Sequence, residues 1–223
     1  MKRASAARPK LLAGEDLPPE PRQQRSLDKR ARLKAAGLVL FGEKGYAATS
    51  IEDIAARAGL AVGSFYQHFR SKRQLLLALM DELLEKLSLL DLRPKASGDV
   101  RAGLRRFLFR AFAADFQYLG ASRAWQEATL SDAGLARKDE RIRAWTAARI
   151  TTAFTLLQTL PGARRSVDVP SVARLMDGFF WNLLGQALRL PEVELTAWVD
   201  SAAHVLYHAL FTDRPSRATP SPA

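Results

Sequence analysis

Proline cannot occupy a helix interior without removing a backbone hydrogen bond and clashing with the preceding turn. The placement of the 11 prolines therefore constrains this 223-residue chain more than any other feature. Seven crowd the ends: Pro9, Pro18, Pro19 and Pro21, then Pro215, Pro220 and Pro222. The other four, Pro94, Pro161, Pro170 and Pro191, fall between segments of helical periodicity and mark loops. No segment combines apolar–polar alternation with β-branched enrichment between turn residues, as strands require. The body is expected to be all-α, with disordered tails at 1–26 and 214–223.

Helix starts and stops follow from capping chemistry. A first helix is predicted near Leu27–Lys44, closed by Gly45, and a second from a capping box at Thr49-Ser50-Ile51-Glu52 to about Ala58, before Gly59. A short third helix near Val62–Phe69 precedes a second box, Ser71-Lys72-Arg73-Gln74, which opens a helix reaching about Leu90. Beyond Pro94 the predicted segments lie near Asp99–Leu119, Ala121–Ser131, Lys138–Leu160, Pro170–Leu190 and Glu192–Phe211. Two domains result: a compact N-terminal one over 27–87 and a larger helical one over 88–213.

Charge separates these two parts. Lys and Arg number 34 against 23 Asp and Glu, a net +11, and residues 1–73 carry 15 basic and 7 acidic side chains. A basic field confined to the N-terminal third calls for an acidic partner there, nucleic acid or a membrane surface. The longest uncharged run, Ile150–Ala163, is 14 residues long and includes four Thr, one Gln and a Pro-Gly pair. It is too short and polar to span a bilayer, which needs ~20 apolar residues. The basic start is not followed by the apolar run of a secretory signal, so a cytoplasmic location is expected. With no cysteine, disulfides, thiolate metal sites and cysteine nucleophiles are excluded.

Residues Ser50–Phe69 read as helix, glycine turn, helix, with Ile51, Ile54, Ala55 and Leu60 facing inward. The second of these helices offers Ser64, Tyr66, Gln67 and His68, hydrogen-bonding groups suited to base edges and phosphates in a major groove. Gln67 and Ser64 are expected at base edges, with Tyr66 and His68 nearer the backbone. Lys72, at the start of the next helix, joins its charge to free backbone amides, an arrangement that holds phosphate. The basic run Arg22–Lys34 reads either as a solvated tail and helix face or as an arm tracking DNA, through Arg25, Arg30 and Arg32. Phe41, Tyr46, Phe65 and Phe69 read as core.

At these residues the chain resembles the TetR family of bacterial transcriptional regulators. The resemblance covers about Leu27–Leu87 and rests on Phe41, Gly45-Tyr46, Thr49, Ile54-Ala55, Ala58-Gly59, Gly63-Ser64, Phe65-Tyr66, Phe69, Ser71-Lys72 and Leu75. Where the family often has Ser or Thr this chain has Ala61, which removes a side-chain cap from the recognition helix, and Val62 stands where a basic residue is common. The resemblance implies a homodimer that binds double-stranded DNA and a small-molecule effector, with Thr49, Ser50, Val62, Gly63, Ser64, Tyr66, Gln67, His68 and Lys72 facing DNA. It makes the protein a regulator, in the first instance a repressor released from a palindromic operator by a small apolar or aromatic ligand, with no cofactor.

The rest of the chain is rich in aromatics at helical spacing, which are first of all core. An effector cavity is expected among them, lined by Phe112, Phe116, Trp125, Trp145, Arg149 and Phe154, with Asp115, Gln126, Thr152 and Asn182 as further polar groups. The helix from Pro170 has one apolar stripe, committed to the subunit's own core, through Val172, Leu175, Met176, Phe179, Phe180, Leu183, Leu184, Ala187 and Leu188 and a second through Gly178, Trp181 and Gly185. The last helix likewise carries His204, Tyr207, His208 and Phe211 on a second face. Two apolar faces per helix predict a dimer interface built from Gly178, Trp181, Gly185, His204, Tyr207, His208 and Phe211. Enzymatic readings find no support. His204 and His208 stand at i and i+4 without an acidic third ligand, and there is no phosphate loop or serine nucleophile motif. A helical small-molecule carrier or enzyme with a vestigial helix-turn-helix is the alternative from another class.

Overall fold

The computed structural model describes residues 7–91, 99–187 and 189–212. Among them nine helices form: α1 (Gln24–Lys44), α2 (Ile51–Arg57), α3 (Val62–Tyr66), α4 (Lys72–Ser88), α5 (Val100–Phe116), α6 (Leu119–Thr129), α7 (Ala133–Leu157), α8 (Val169–Ala187) and α9 (Glu192–Leu210). Within the described residues the only β-type pairing is an isolated antiparallel bridge between Ala163 and Phe211. The fold class is the expected one. Pro94, Leu188 and the tail at 214–223 lie outside the described residues.

The helix ends show which signals acted. Gly45 closes α1 at φ 84° and Gly59 makes the turn after α2 at φ 63°, a region that only glycine enters without strain. The capping box of α2 sits one residue later than predicted: the Asp53 amide donates to Ser50 Oγ at 3.0 Å and the Ser50 amide to Asp53 Oδ2 at 3.5 Å. Ala61 leaves α3 without a side-chain cap, as its methyl group dictates. That helix ends at Tyr66 rather than Phe69, because the His68 and Phe69 amides both turn back to the Phe65 carbonyl at 2.9 Å. Helix α7 starts five residues before the predicted Lys138 because Asp132 caps it, accepting from the Gly134 and Leu135 amides at 2.8 and 3.0 Å.

The expectation of a disordered tail over 1–26 does not hold for residues 7–23, which form a strap across α4 and α7. Leu11 is buried in the core, its amide donates to Asp81 at 2.8 Å and its carbonyl accepts from Lys138. Arg8 pairs with Asp81 and Glu85, Glu15 with Arg73 and Lys138, and Asp16 with Arg70. The proline-rich composition suggested disorder, but prolines tolerate an extended docked chain equally well, and one buried leucine with five ion pairs supplies the docking.

Two hydrophobic cores organise the helices. One joins Phe41, Ile54, Phe65, Phe69 and the α4 leucines to Leu11, Trp125, Leu135, Ile142 and Trp145, so it runs through the 87/88 position drawn as a domain boundary and into α6 and α7. Within α4 every residue from Leu75 to Met80 is buried, which makes it the central rod of this core. The second core gathers Leu104, Phe112, Phe154, Leu183, Val199, Leu206 and Phe211 from α5, α7, α8 and α9. Helices α1 and α6 approach most closely at Gly120, where a Cβ would lie 1.9 Å from the Leu38 carbonyl oxygen.

Candidate nucleic-acid interface and effector cavity

Helices α2 and α3 form the predicted helix-turn-helix. Buried Ile54, Ala55 and Phe65 hold the pair against α1 and α4. Phe65 packs edge-on to Tyr66 and obliquely to Phe69, with centroids 5.7 and 5.8 Å apart. This anchoring turns one side of α3 outward: Gly63 and Gln67 are exposed, Tyr66 is 50% exposed, and Val62 and Ser64 are half-buried. A Cβ at Gly63 would meet nothing within 4 Å, so the face is unobstructed there.

Four of the residues predicted to face DNA have roles inside the domain. Thr49 is 1% exposed, and its hydroxyl donates to the Gly45 and Leu40 carbonyls, so it fastens the α1–α2 loop. His68 is 2% exposed with both ring nitrogens unpartnered; burial lowers its pKa, helped by the nearby charges of Arg30 and Lys29. Lys72 reaches inward. Its ammonium donates to the carbonyls of Tyr46, Ala47 and Thr49 at 2.8, 3.1 and 3.0 Å and lies over the Tyr46 ring, and burial lowers its pKa. Ser50 acts as a helix cap. Lys72→Ala is therefore expected to lower stability by about 2 kcal/mol through loss of charged hydrogen bonds. A thermal melt checks this, and an unchanged melting temperature with uniformly weaker DNA binding would restore a phosphate role.

The basic run is also partly committed. Arg30 donates to the His68 carbonyl and lies over Phe69, Arg32 donates to the Gly59 carbonyl, and Lys34 pairs with Glu82. These bonds tie α1 to the turns of the helix-turn-helix. Arg25 remains exposed.

A partly open cavity of about 110 Å³ lies between α4, α5, α7, α8 and α9, beside the second core. Phe112, Trp145, Arg149 and Phe154 line it as predicted, and so does Asp115. Phe116 stands beside it, stacked on Phe112 at 5.9 Å, while Trp125 belongs to the other core, with its indole N–H donating to Asp139 at 2.8 Å. Thr152 and Asn182 are exposed, and Gln126 lies beside Gly185. Sequence reasoning missed Phe107, Asp177 and Phe180 as lining residues. Only Asp177 had a legible signal, an acid inside an apolar helix. Its carboxylate accepts from Thr146 at 2.8 Å, and burial raises its pKa.

The predicted dimer face is partly used within the subunit. Phe211 is buried in the second core, Trp181 packs against the first with Arg143 over its ring at 4.5 Å, and a Cβ at Gly185 would lie 3.4 Å from Gln126 of α6. Trp181 and Gly185 lie where α8 crosses α6 and α7, a crossing that the apolar stripe alone could not distinguish from an intersubunit one. Gly178 and His204 are exposed, and Tyr207 and His208 are half-buried. Leu175 of α8, which the predicted inward stripe included, is 74% exposed, and Val193 and Val205 of α9 are 80% and 63% exposed.

Residues 33–79 match the sequence profile described as bacterial regulatory proteins, tetR family. The HTH-type transcriptional repressor Rv3405c of Mycobacterium tuberculosis is 44% identical over 70 residues, 31% of this chain and 37% of that protein. The HTH-type transcriptional regulator YerO of Bacillus subtilis is 45% identical over 51 residues, 23% of this chain and 18% of that one. The chain thus spans well under half the length of these relatives. Over the longer range the fold resembles a gamma-butyrolactone receptor (ArpA like protein), with TM-score 0.67 and 21% identity over 85% of this chain and 91% of that one. It also resembles SmeT in its triclosan complex, with TM-score 0.61 and 24% identity over 87% and 98%. No described helix is long and apolar enough to cross a membrane. Residues 33–79 thus form a helix-turn-helix unit that matches the tetR-family profile, set in an all-helical fold similar to those of these two solved structures.

Proposed function

We propose that the protein is a homodimeric, effector-responsive transcription regulator, acting as a repressor on a palindromic operator. The observation that carries this reading is the outward face of α3, where Gly63, Tyr66 and Gln67 stand clear while Phe65 anchors the helix from behind. Val62, Ser64 and Gln67 reach base edges, and Tyr66 lies against the backbone. Two-fold pairing through Leu175 and Gly178 on α8 and Val205 on α9 covers apolar groups left exposed in the single chain. It also sets two such faces one DNA turn apart, roughly 34–36 Å.

The cavity is the effector site, and α6 carries its influence to the DNA-reading unit. Besides the close approach at Gly120, the Glu127 carboxylate accepts from the Tyr46 and Ala47 amides at 2.6 and 2.9 Å, and Arg123 donates to the Gly42 carbonyl at 2.6 Å. A ligand that favours one arrangement of the effector helices thereby biases the spacing of the recognition faces. The mycobacterial relative named as a repressor and the neighbour solved with triclosan support a repressor with an apolar or aromatic ligand.

Selection of bound duplexes from a random pool tests the reading and should enrich one two-fold symmetric site. Gln67→Ala should then lose about 1–3 kcal/mol of discrimination at one base position of each half-site. An enriched site without symmetry, or a preference unchanged in the variant, would overturn the assignment.

A further inference from the structure

The apolar cavity contains one group that its own walls do not satisfy. Asp115, near the end of α5, is 2% exposed, and its Oδ2 has no hydrogen-bond partner. Burial alone pushes its carboxyl well above the usual carboxylate range, with no basic neighbour to offset it. The other ionisable groups lining the cavity are engaged. Asp177 accepts from Thr146, and Arg149 donates to the Leu87 and Leu90 carbonyls at 2.9 and 3.3 Å and lies over the Trp145 ring. A buried polar group without a partner is costly, so a ligand that supplies a donor to it gains more than one that merely fills space.

We infer that the effector is a small aromatic or alkyl amine whose ammonium group pairs with Asp115 while its apolar body lies among Phe107, Phe112, Phe154 and Phe180. The inference rests on the reading of this cavity as the effector site and narrows the ligand to a class. Two arguments separate an amine from the other apolar ligands the walls would accept. An anion would have to enter beside two carboxyl groups and compete with backbone carbonyls for Arg149, the one cation lining the cavity. A neutral hydrocarbon would leave Asp115 as it is now. Protons balance in either protonation state: a free-base amine takes the Asp115 proton, and an ammonium ion displaces it to solvent. Size sets a further limit, since about 110 Å³ is below the ~150 Å³ of an engineered cavity that holds benzene. The cavity is partly open, so a ligand of one ring or a short chain can seat its amine at Asp115 with the rest of its body toward the opening.

Charged groups on the surrounding helices are directed elsewhere. On α4, Glu82 and Lys86 face Lys34 and Gln117; on α6, Arg123 and Glu127 bond to the chain around Gly42–Ala47; and on α9, Asp200 and His204 meet Arg105 and Arg101 near the start of α5. A cation at Asp115 is thus the one whose binding depends on that carboxyl.

Calorimetric titration of the full-length protein with 2-phenylethylamine, its neutral isostere propylbenzene and the anion 3-phenylpropionate tests the class. The amine should bind about 10- to 100-fold more tightly than the isostere, the anion should bind least, and Asp115→Asn should remove the preference while leaving the isostere unaffected. Phenyltrimethylammonium, which cannot take up a proton, should bind more tightly as pH rises across the range where Asp115 is protonated, and this dependence should vanish in Asp115→Asn. Asp177→Asn should keep both behaviours, which separates Asp115 from a general effect of acidic groups. Equal affinity for amine and isostere, or an amine preference that survives Asp115→Asn, overturns the inference but leaves the cavity as an effector site. Failure of all three ligands overturns both. Amine binding through Asp115 that leaves operator affinity unchanged supports the ligand class and overturns the effector reading.

Discussion

Gly120→Ala should lower stability by about 3 kcal/mol or more, equivalent to a drop in melting temperature of roughly 6–12 °C for a chain of this size. The added methyl would lie 1.9 Å from the Leu38 carbonyl oxygen and 2.8 Å from the Gly42 amide nitrogen. Both are backbone atoms of α1, so no side chain can rotate away, and α1 and α6 must separate. Gly103 on α5 is the control. A Cβ there meets only the far end of Arg106 at 4.0 Å, so Gly103→Ala should be neutral or stabilising by up to ~1 kcal/mol. Thermal denaturation of both variants decides the matter, and equal melting temperatures would mean that α1 and α6 are not in such close contact. Because Glu127 and Arg123 of α6 hold the α1–α2 chain a few residues away, the same substitution should weaken operator binding at temperatures where the protein is still folded.

Trp125→Ala should be as damaging, at about 3–5 kcal/mol. Trp125 is the largest fully buried side chain, and it lies in the core shared by α1, α4, α6 and α7. Removing it opens a cavity and strips Asp139 of the indole donor at 2.8 Å. Asp139 keeps Arg143 at 2.6 Å, so Trp125→Phe should lose less than the alanine variant. Urea denaturation measures both, and a loss under 1 kcal/mol for Trp125→Ala would show that the surrounding helices collapse to fill the space. Since the core is continuous, unfolding should remain a single transition, without separate melting of an N-terminal domain.

The all-helical body was legible because prolines, glycines and caps act locally, and because helical stripes report a buried face whatever covers it. The helix-turn-helix was legible for the same reason: Gly45, Gly59 and Phe65 fix its turns and its inner side. What the sequence could not resolve was the partner of a given polar or apolar group. Thr49, His68 and Lys72 have side chains suited to DNA, and only the approach of the 45–49 loop and α1 turns them inward. Trp125 and Trp181 have the pattern of a cavity wall and a dimer face, yet both are claimed by the core that spans the two halves of the chain. The cavity draws on Phe112, Trp145, Arg149 and Phe154 among the residues expected around a pocket because α5, α7 and α8 carry most of the aromatics. The expected lining differs in detail because residues 112 and 116 lie on neighbouring but not equivalent sides of α5.

The strap over residues 7–23 changes how measurements at different ionic strengths must be interpreted for this protein. The steepness with which DNA affinity falls as salt is added is ordinarily converted into a number of phosphates neutralised by the protein. Here five ion pairs, from Arg8, Glu15 and Asp16 to α4, α7 and Arg70 just before α4, hold the strap across the joint between the helix-turn-helix unit and the helices that follow it. Most are partly exposed and so are weakened by the same salt. A Debye screen that loosens the strap also loosens the joint that sets the recognition faces, so the measured slope contains an intramolecular contribution alongside counterion release from DNA. Phosphate counts taken from that slope will exceed the real number of contacts unless the slope of a strap variant, such as one with Glu15 and Asp16 replaced by their amides, is subtracted.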